Sequence, residues 1–174
     1  ENEHQAILRP LRDAMRRFSI DTDRVFIAGH FMGADAAWDI ALSHPDLWAG
    51  AVMVGAIAKK YIVQYWPNAK HVPTYFVNGE FDGDNPMYLN ASTWDHMLDD
   101  RKIDTMVTLY IGRGHDHFQE ELPRIIDWMQ LPSHRRNTAP DRFSVLTSRA
   151  GDRFFWWFET MQLNPEKLVH PLFD

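Results

Sequence analysis

Phe31 stands between two glycines in the run Gly29-His30-Phe31-Met32-Gly33, directly after the apolar stretch Val25-Phe26-Ile27-Ala28. A sharp turn between a strand and a helix thrusts its central side chain outward. The glycines on either side are expected because side chains there would collide with neighbouring backbone. Two more strand-like runs end in loops that carry titratable groups. Thr74-Tyr75-Phe76-Val77 leads into Asn78-Gly79-Glu80-Phe81-Asp82-Gly83-Asp84, and residues 107–111 lead into Gly112-Arg113-Gly114-His115-Asp116-His117. An aspartate beside an imidazole orients the ring and stabilises its charge, so that the ring can take a proton from a hydroxyl held opposite it. Phe31 has no such proton. A benzyl group cannot attack a carbonyl, and it fills space that an acyl group would need.

Other chemistries are weaker. His115 and His117 lie two apart, which on a strand would put both on one face toward a metal. They fall in a turn with no third ligand marked, so no metal site is expected. Glu80 and Asp82 form a carboxylate pair of the kind glycosidases use, but ordinary loops hold such pairs too. His30 is expected to pack within the turn and point away from the pocket of position 31. Trp38, Trp48, Trp94 and Trp128 are read as packing residues. No residue pattern calls for a cofactor.

The elements that must position these groups alternate. Ile7, Leu8, Leu11, Met15 and Phe18 recur at helical spacing over residues 3–18, where Pro10 would kink the helix unless it starts later. Residues 25–28, 51–54 and 74–77 read as buried strands, and 105–111 as a fourth strand. Helices are predicted through Ala36 to Ala41, ending before His44-Pro45, and over 86–99 and 118–129. Alternating strands and helices imply an α/β architecture, a sheet of about four parallel strands with flanking helices. After Pro132 the pattern changes. Residues 143–147 and 153–160, joined by Ala150-Gly151-Asp152, read as an appended β-hairpin. The expected division is therefore 1–131 for the α/β part and 132–174 for the extension.

The chain has 174 residues and a net charge of -6, with no basic stripe, so nucleic acid is excluded as a partner. No apolar run is long enough to span a membrane. The absence of cysteine removes disulfides, thiolate metal sites and thiol catalysis, and leaves the compartment open.

The segment Gly29-His30-Phe31-Met32-Gly33-Ala34-Asp35-Ala36-Ala37 resembles the G-H-S-M-G-G nucleophile elbow of serine esterases and peptidases in the α/β-hydrolase superfamily, and His44-Pro45-Asp46-Leu47-Trp48-Ala49-Gly50 resembles their entry to the next strand. The resemblance covers roughly residues 3–131 and only the C-terminal half of that domain. It implies an order of nucleophile, acid and histidine. Phe31 then takes the nucleophile position, Asp82 is the acid with Asp84 in reserve, and His115 is the base with His117 in reserve. The backbone N–H of Met32 becomes one oxyanion donor. The second donor belongs to an earlier strand that the chain lacks, as does the strand that pairs with the elbow strand. A fragment, or a partner polypeptide that supplies the missing N-terminal half-domain, is implied. With its aromatic extension the chain most resembles bacterial secreted or multidomain hydrolases that append a β module.

These observations imply a degenerate hydrolase, a pseudoenzyme with a binding or assembly role and a small ester or peptide-like ligand. An active carboxylesterase or peptidase and a structural subunit of a larger complex are the alternatives.

Overall fold

The computed structural model describes residues 2–59, 61–83, 86–149 and 151–160. Four strands, β1 (Phe26–His30), β2 (Gly50–Val54), β3 (Thr74–Gly79) and β4 (Thr105–Tyr110), form one sheet in the order β1-β2-β3-β4, and every pairing is parallel. Helix α1 (Asn2–Arg17) precedes β1, and α2 (Met32–Ser43) links β1 to β2. The short α3 (Ile62–Tyr65) with a 3-10 turn links β2 to β3, α4 (Pro86–Asp99) links β3 to β4, and α5 (Leu122–Met129) follows β4. The layered α/β architecture follows from the sequence pattern.

Alternation along the strands sets the two faces. Ala51 and Met53 of β2 and Phe76 of β3 point into the larger core with Leu8 of α1, Trp38 and Ile40 of α2, Ile62 of α3 and Trp94 and Met97 of α4. Trp38 and Phe76 meet edge to face with centroids 4.5 Å apart. Val52, Tyr75 and Val77 point the other way, against Ile125 and Trp128 of α5. Every residue of β3 is buried, the apolar Tyr75-Phe76-Val77 together with the polar Thr74 and Asn78. The edge strand β1 is less protected: Ile27 is buried, Phe26 half-buried and Ala28 exposed. It has a neighbour on one side only. No helix among the described residues is long and apolar enough to cross a membrane.

Helix α1 covers the stretch expected of it and continues through Pro10, whereas one later helix differs from expectation. The helix expected over 118–129 is broken at its start: Phe118 is left-handed, a 3-10 turn covers Gln119–Glu121, and α5 begins at Leu122 with Pro123 in its first turn. Proline favours a helix start because its missing N–H would have no partner there.

The C-terminal hairpin is present, but both strands, β5 (Phe154–Phe155) and β6 (Phe158–Glu159), come from the expected second strand, with Trp156 and Trp157 at the turn. Residues 143–147 pair with the α/β part instead. The buried Asn68 amide donates to Leu42 O and Leu146 O, and its oxygen accepts from Leu146 N–H, each at 2.8 Å. A buried amide left without those partners would cost about 1–3 kcal/mol, so this grip outweighs a longer hairpin. Phe154, Trp157 and Phe158 remain exposed, whereas Phe155 is buried.

Candidate functional site

The turn between β1 and α2 is built by Gly29. A Cβ there would lie 2.0 Å from Gly33 O and 2.6 Å from Ala34 N, so no other residue fits without moving backbone. Gly33 is different. A Cβ at that position meets nothing within 4 Å, so the expectation that both glycines avoid a collision holds for Gly29 alone. Between them Phe31 adopts φ 52° and ψ -119°. Such a backbone state costs a bulky residue on the order of 1–3 kcal/mol and persists only where the surroundings enforce it. Here its N–H is bound to Val54 O at 2.8 Å, and its carbonyl accepts from Ala34 and Asp35.

The loops after β3 and β4 converge on this turn. Phe81 N–H donates to Arg113 O at 2.8 Å, and Glu80 N–H to Tyr110 O at 3.0 Å. The Glu80 carboxylate accepts from Gly112 N–H at 2.8 Å. Glu80 therefore ties the two loops together and does not pair with Asp82 as a glycosidase carboxylate would. Gly79 lets them close, since a Cβ there would lie 2.3 Å from Gly114 O. The result is an Asp82 carboxylate almost fully buried, 3.2 Å from His115 Nδ1 through either oxygen. The His115 ring, about half exposed, lies flat on Phe31 with centroids 3.2 Å apart and planes 16° from parallel.

The reserve residues are placed less centrally. His117 stacks on His30 at 4.7 Å and stands 6.2 Å from the Phe31 ring, so His115 is the histidine that joins Asp82 to position 31. Asp84 lies outside the described residues. His30 departs from expectation. Its ring centroid is 3.6 Å from that of Phe31, and its Nε2 donates to Asp116 O at 3.3 Å. That carbonyl draws the ring over the turn and into the same stack. Met32 is exposed and opens α2, so its N–H belongs to the first-turn amides that have no acceptor within the helix.

Sequence reasoning missed three supports. Gly55, at φ 71°, lies against the Phe31 ring, where a Cβ would come within 2.7 Å of Phe31 Cδ1. Its position at the end of an apolar strand was the available signal. Asp35 accepts from Ile57 N–H at 2.7 Å and pairs with Lys59 at 3.0 Å, while Asn90 accepts from Ala58 N–H at 2.7 Å. Both hold the segment after β2, and nothing in their local sequence announces it. Trp38, Trp48, Trp94 and Trp128 are all buried, as packing residues should be.

The sequence matches no family model and no curated protein. Solved structures do match in shape. A thermostable esterase superposes with a TM-score of 0.61 at 20% identity, over 74% of this chain and 36% of its own. Acyl-protein thioesterase 2 of Zea mays gives 0.55 at 16% identity, over 72% and 63%. The S-formylglutathione hydrolase of Staphylococcus aureus gives 0.55 at 19%, over 71% and 58%. The chain has a partial α/β-hydrolase fold. It spans about a third to three fifths of the length of these similar structures. The four-stranded sheet and its flanking helices account for the α/β-hydrolase part, to which the short C-terminal hairpin is added.

Proposed function

We propose that this chain is a degenerate α/β-hydrolase, in which the acid and base of an esterase site persist while Phe31 replaces the nucleophile and the site serves binding or assembly. One observation carries the reading: Phe31 keeps the strained positive-φ backbone of a nucleophile elbow, yet its side chain stacks on the imidazole of the Asp82–His115 pair. In a working elbow that imidazole would take a hydroxyl proton, and Asp82 would stabilise the imidazolium. Here Asp82 still fixes the ring through Nδ1, and a benzyl face covers it. Met32 N–H is the oxyanion donor in this reading. The similar structures are named as an esterase, a thioesterase and an S-formylglutathione hydrolase. The ligand class is accordingly an acyl ester, thioester or peptide-like group. The remainder of the domain, on this chain or another polypeptide, is the natural partner for β1.

A panel of short-chain p-nitrophenyl esters and aminopeptidase substrates tests this, with wild type, Phe31→Ser and Phe31→Ser/His115→Ala side by side. The wild type should not exceed buffer, and Phe31→Ser should gain slow turnover that the second substitution removes. Wild-type turnover above a His115→Ala control would overturn the reading. If Phe31→Ser is also silent, the site geometry is incomplete in this chain and assembly becomes the better account.

A further inference from the structure

A second cluster of ligating side chains lies at the end of α2 remote from Phe31. His4 comes from α1, His44 directly follows α2, and Asp152 belongs to the turn before β5, so the three meet across 148 residues of sequence. One ligand atom from each lies within 4.8 Å of the other two. His4 Nδ1 and His44 Nε2 are 3.0 Å apart, and His44 Nε2 is 3.7 Å from Asp152 Oδ1. We propose that His4, His44 and Asp152 form a structural zinc site that fastens the C-terminal extension to α1 and α2.

Two imidazole nitrogens and a carboxylate oxygen are a common three-residue zinc donor set, leaving a fourth position for water. Zinc bonds of about 2.0–2.1 Å put neighbouring ligands on a tetrahedron roughly 3.3 Å apart. The two separations at His44, 3.0 and 3.7 Å, bracket that value, and the third pair, within 4.8 Å, closes on binding. The surroundings supply what metal-bound histidines need. With Nδ1 on the metal, His4 turns its Nε2 toward Asp39 Oδ2 at 3.3 Å, the carboxylate–histidine–metal arrangement that fixes tautomer and ring orientation. Asp39 is held in turn by Arg149, which also binds Ser43.

Asp152 is the second, independent pointer. Its side chain is 7% exposed; Oδ1 faces His44 Nε2 at 3.7 Å, and Oδ2 has no hydrogen-bond partner, with Arg149 its nearest cation at 3.9 Å. A buried carboxylate so poorly satisfied is costly unless it is paired or coordinates a metal. A histidine-to-histidine hydrogen bond alone leaves that carboxylate unexplained. A cavity of about 420 Å³ has His4 and Asp39 in its wall beside Ile7, Ile40 and Ile62, while His44 and Asp152 do not line it.

The test uses the whole chain, stripped with a chelator and titrated with Zn2+ by calorimetry and by thermal melting, both independent of hydrolytic activity. One zinc per chain and a rise in Tm are expected. His44→Gln and Asp152→Asn should weaken binding more than about tenfold, and Asp39→Asn by roughly 10–100-fold through loss of the outer contact. Unchanged affinity in His44→Gln and Asp152→Asn overturns the site and assigns any binding to surface histidines. If those variants do not fold, the wild type decides: a Tm that does not rise with Zn2+ overturns the site.

Discussion

The Phe31 ring and the His115 imidazole lie face to face, 3.2 Å between centroids, and the edge of Phe31 at Cδ1 abuts Gly55. The ring current of Phe31 therefore acts on the His115 carbon-bound protons. In Phe31→Ser their NMR resonances should move downfield toward ordinary histidine positions, and the stacking contribution of about 0.5–1.5 kcal/mol should be lost from stability. Unmoved resonances would mean that the stack does not exist in solution.

Gly55 and Phe31 should be energetically coupled. Gly55→Ala carries two penalties, the positive φ of residue 55 and a contact with Phe31 Cδ1 at 2.7 Å. Only the second disappears when Phe31 is truncated. A denaturant-based double-mutant cycle of Gly55→Ala with Phe31→Ser should give an interaction energy of about 0.5–3 kcal/mol, with Gly55→Ala milder in the serine background. Strict additivity would show that Gly55 serves backbone conformation alone.

The two elbow glycines should behave oppositely. Gly29→Ala forces a backbone collision and should cost more than about 3 kcal/mol or prevent folding. Gly33→Ala meets open space within the first turn of α2 and should be neutral or stabilise by up to about 1 kcal/mol. Urea unfolding midpoints of the two variants separate these outcomes.

The stability plateau should be bounded by one buried carboxylate on the α5 side of the sheet. Glu121 accepts from Tyr75 and Tyr110 hydroxyls and from Arg124. Burial alone would raise its pKa, but the bonds from Tyr110, Tyr75 and Arg124 outweigh it and hold the carboxyl below its ordinary 4.5. Its stabilising effect is thus complete above pH 4.5 and lost as pH falls through the depressed folded value. Burial, and then the bond to Glu121, pushes Tyr110 up to about 12. That contribution is complete below the ordinary 10 and lost as pH climbs toward 12. Glu121→Gln should flatten the acid limb of a Tm-against-pH curve and cost about 3 kcal/mol at neutral pH. An unchanged acid limb would remove Glu121 from this role.

What could be read from sequence was what local pattern encodes. The buried strands β2 and β3 appear as the short apolar runs 51–54 and 75–77, and the loops holding Asp82 and His115 each follow a strand-like stretch. The side-chain direction of His30 could not be read, because it depends on Asp116 O, 86 residues away. The hairpin was displaced for a similar reason. The demand of Asn68 for backbone partners at Leu146 is a tertiary effect that strand propensity does not carry. His4, His44 and Asp152 have no spacing signature at all, since three distant elements bring them together.

The edge position of β1 has a consequence for how the site is held. The five residues Phe26–His30 are at once the outer rail of the sheet and the stalk on which Phe31 is mounted. Among the described residues, every strand pairing that steadies the stalk comes from β2, from Phe26↔Gly50 to His30↔Val54. The backbone of that one neighbouring strand, down to Val54 O on the Phe31 N–H, is thus what holds the benzyl ring over His115.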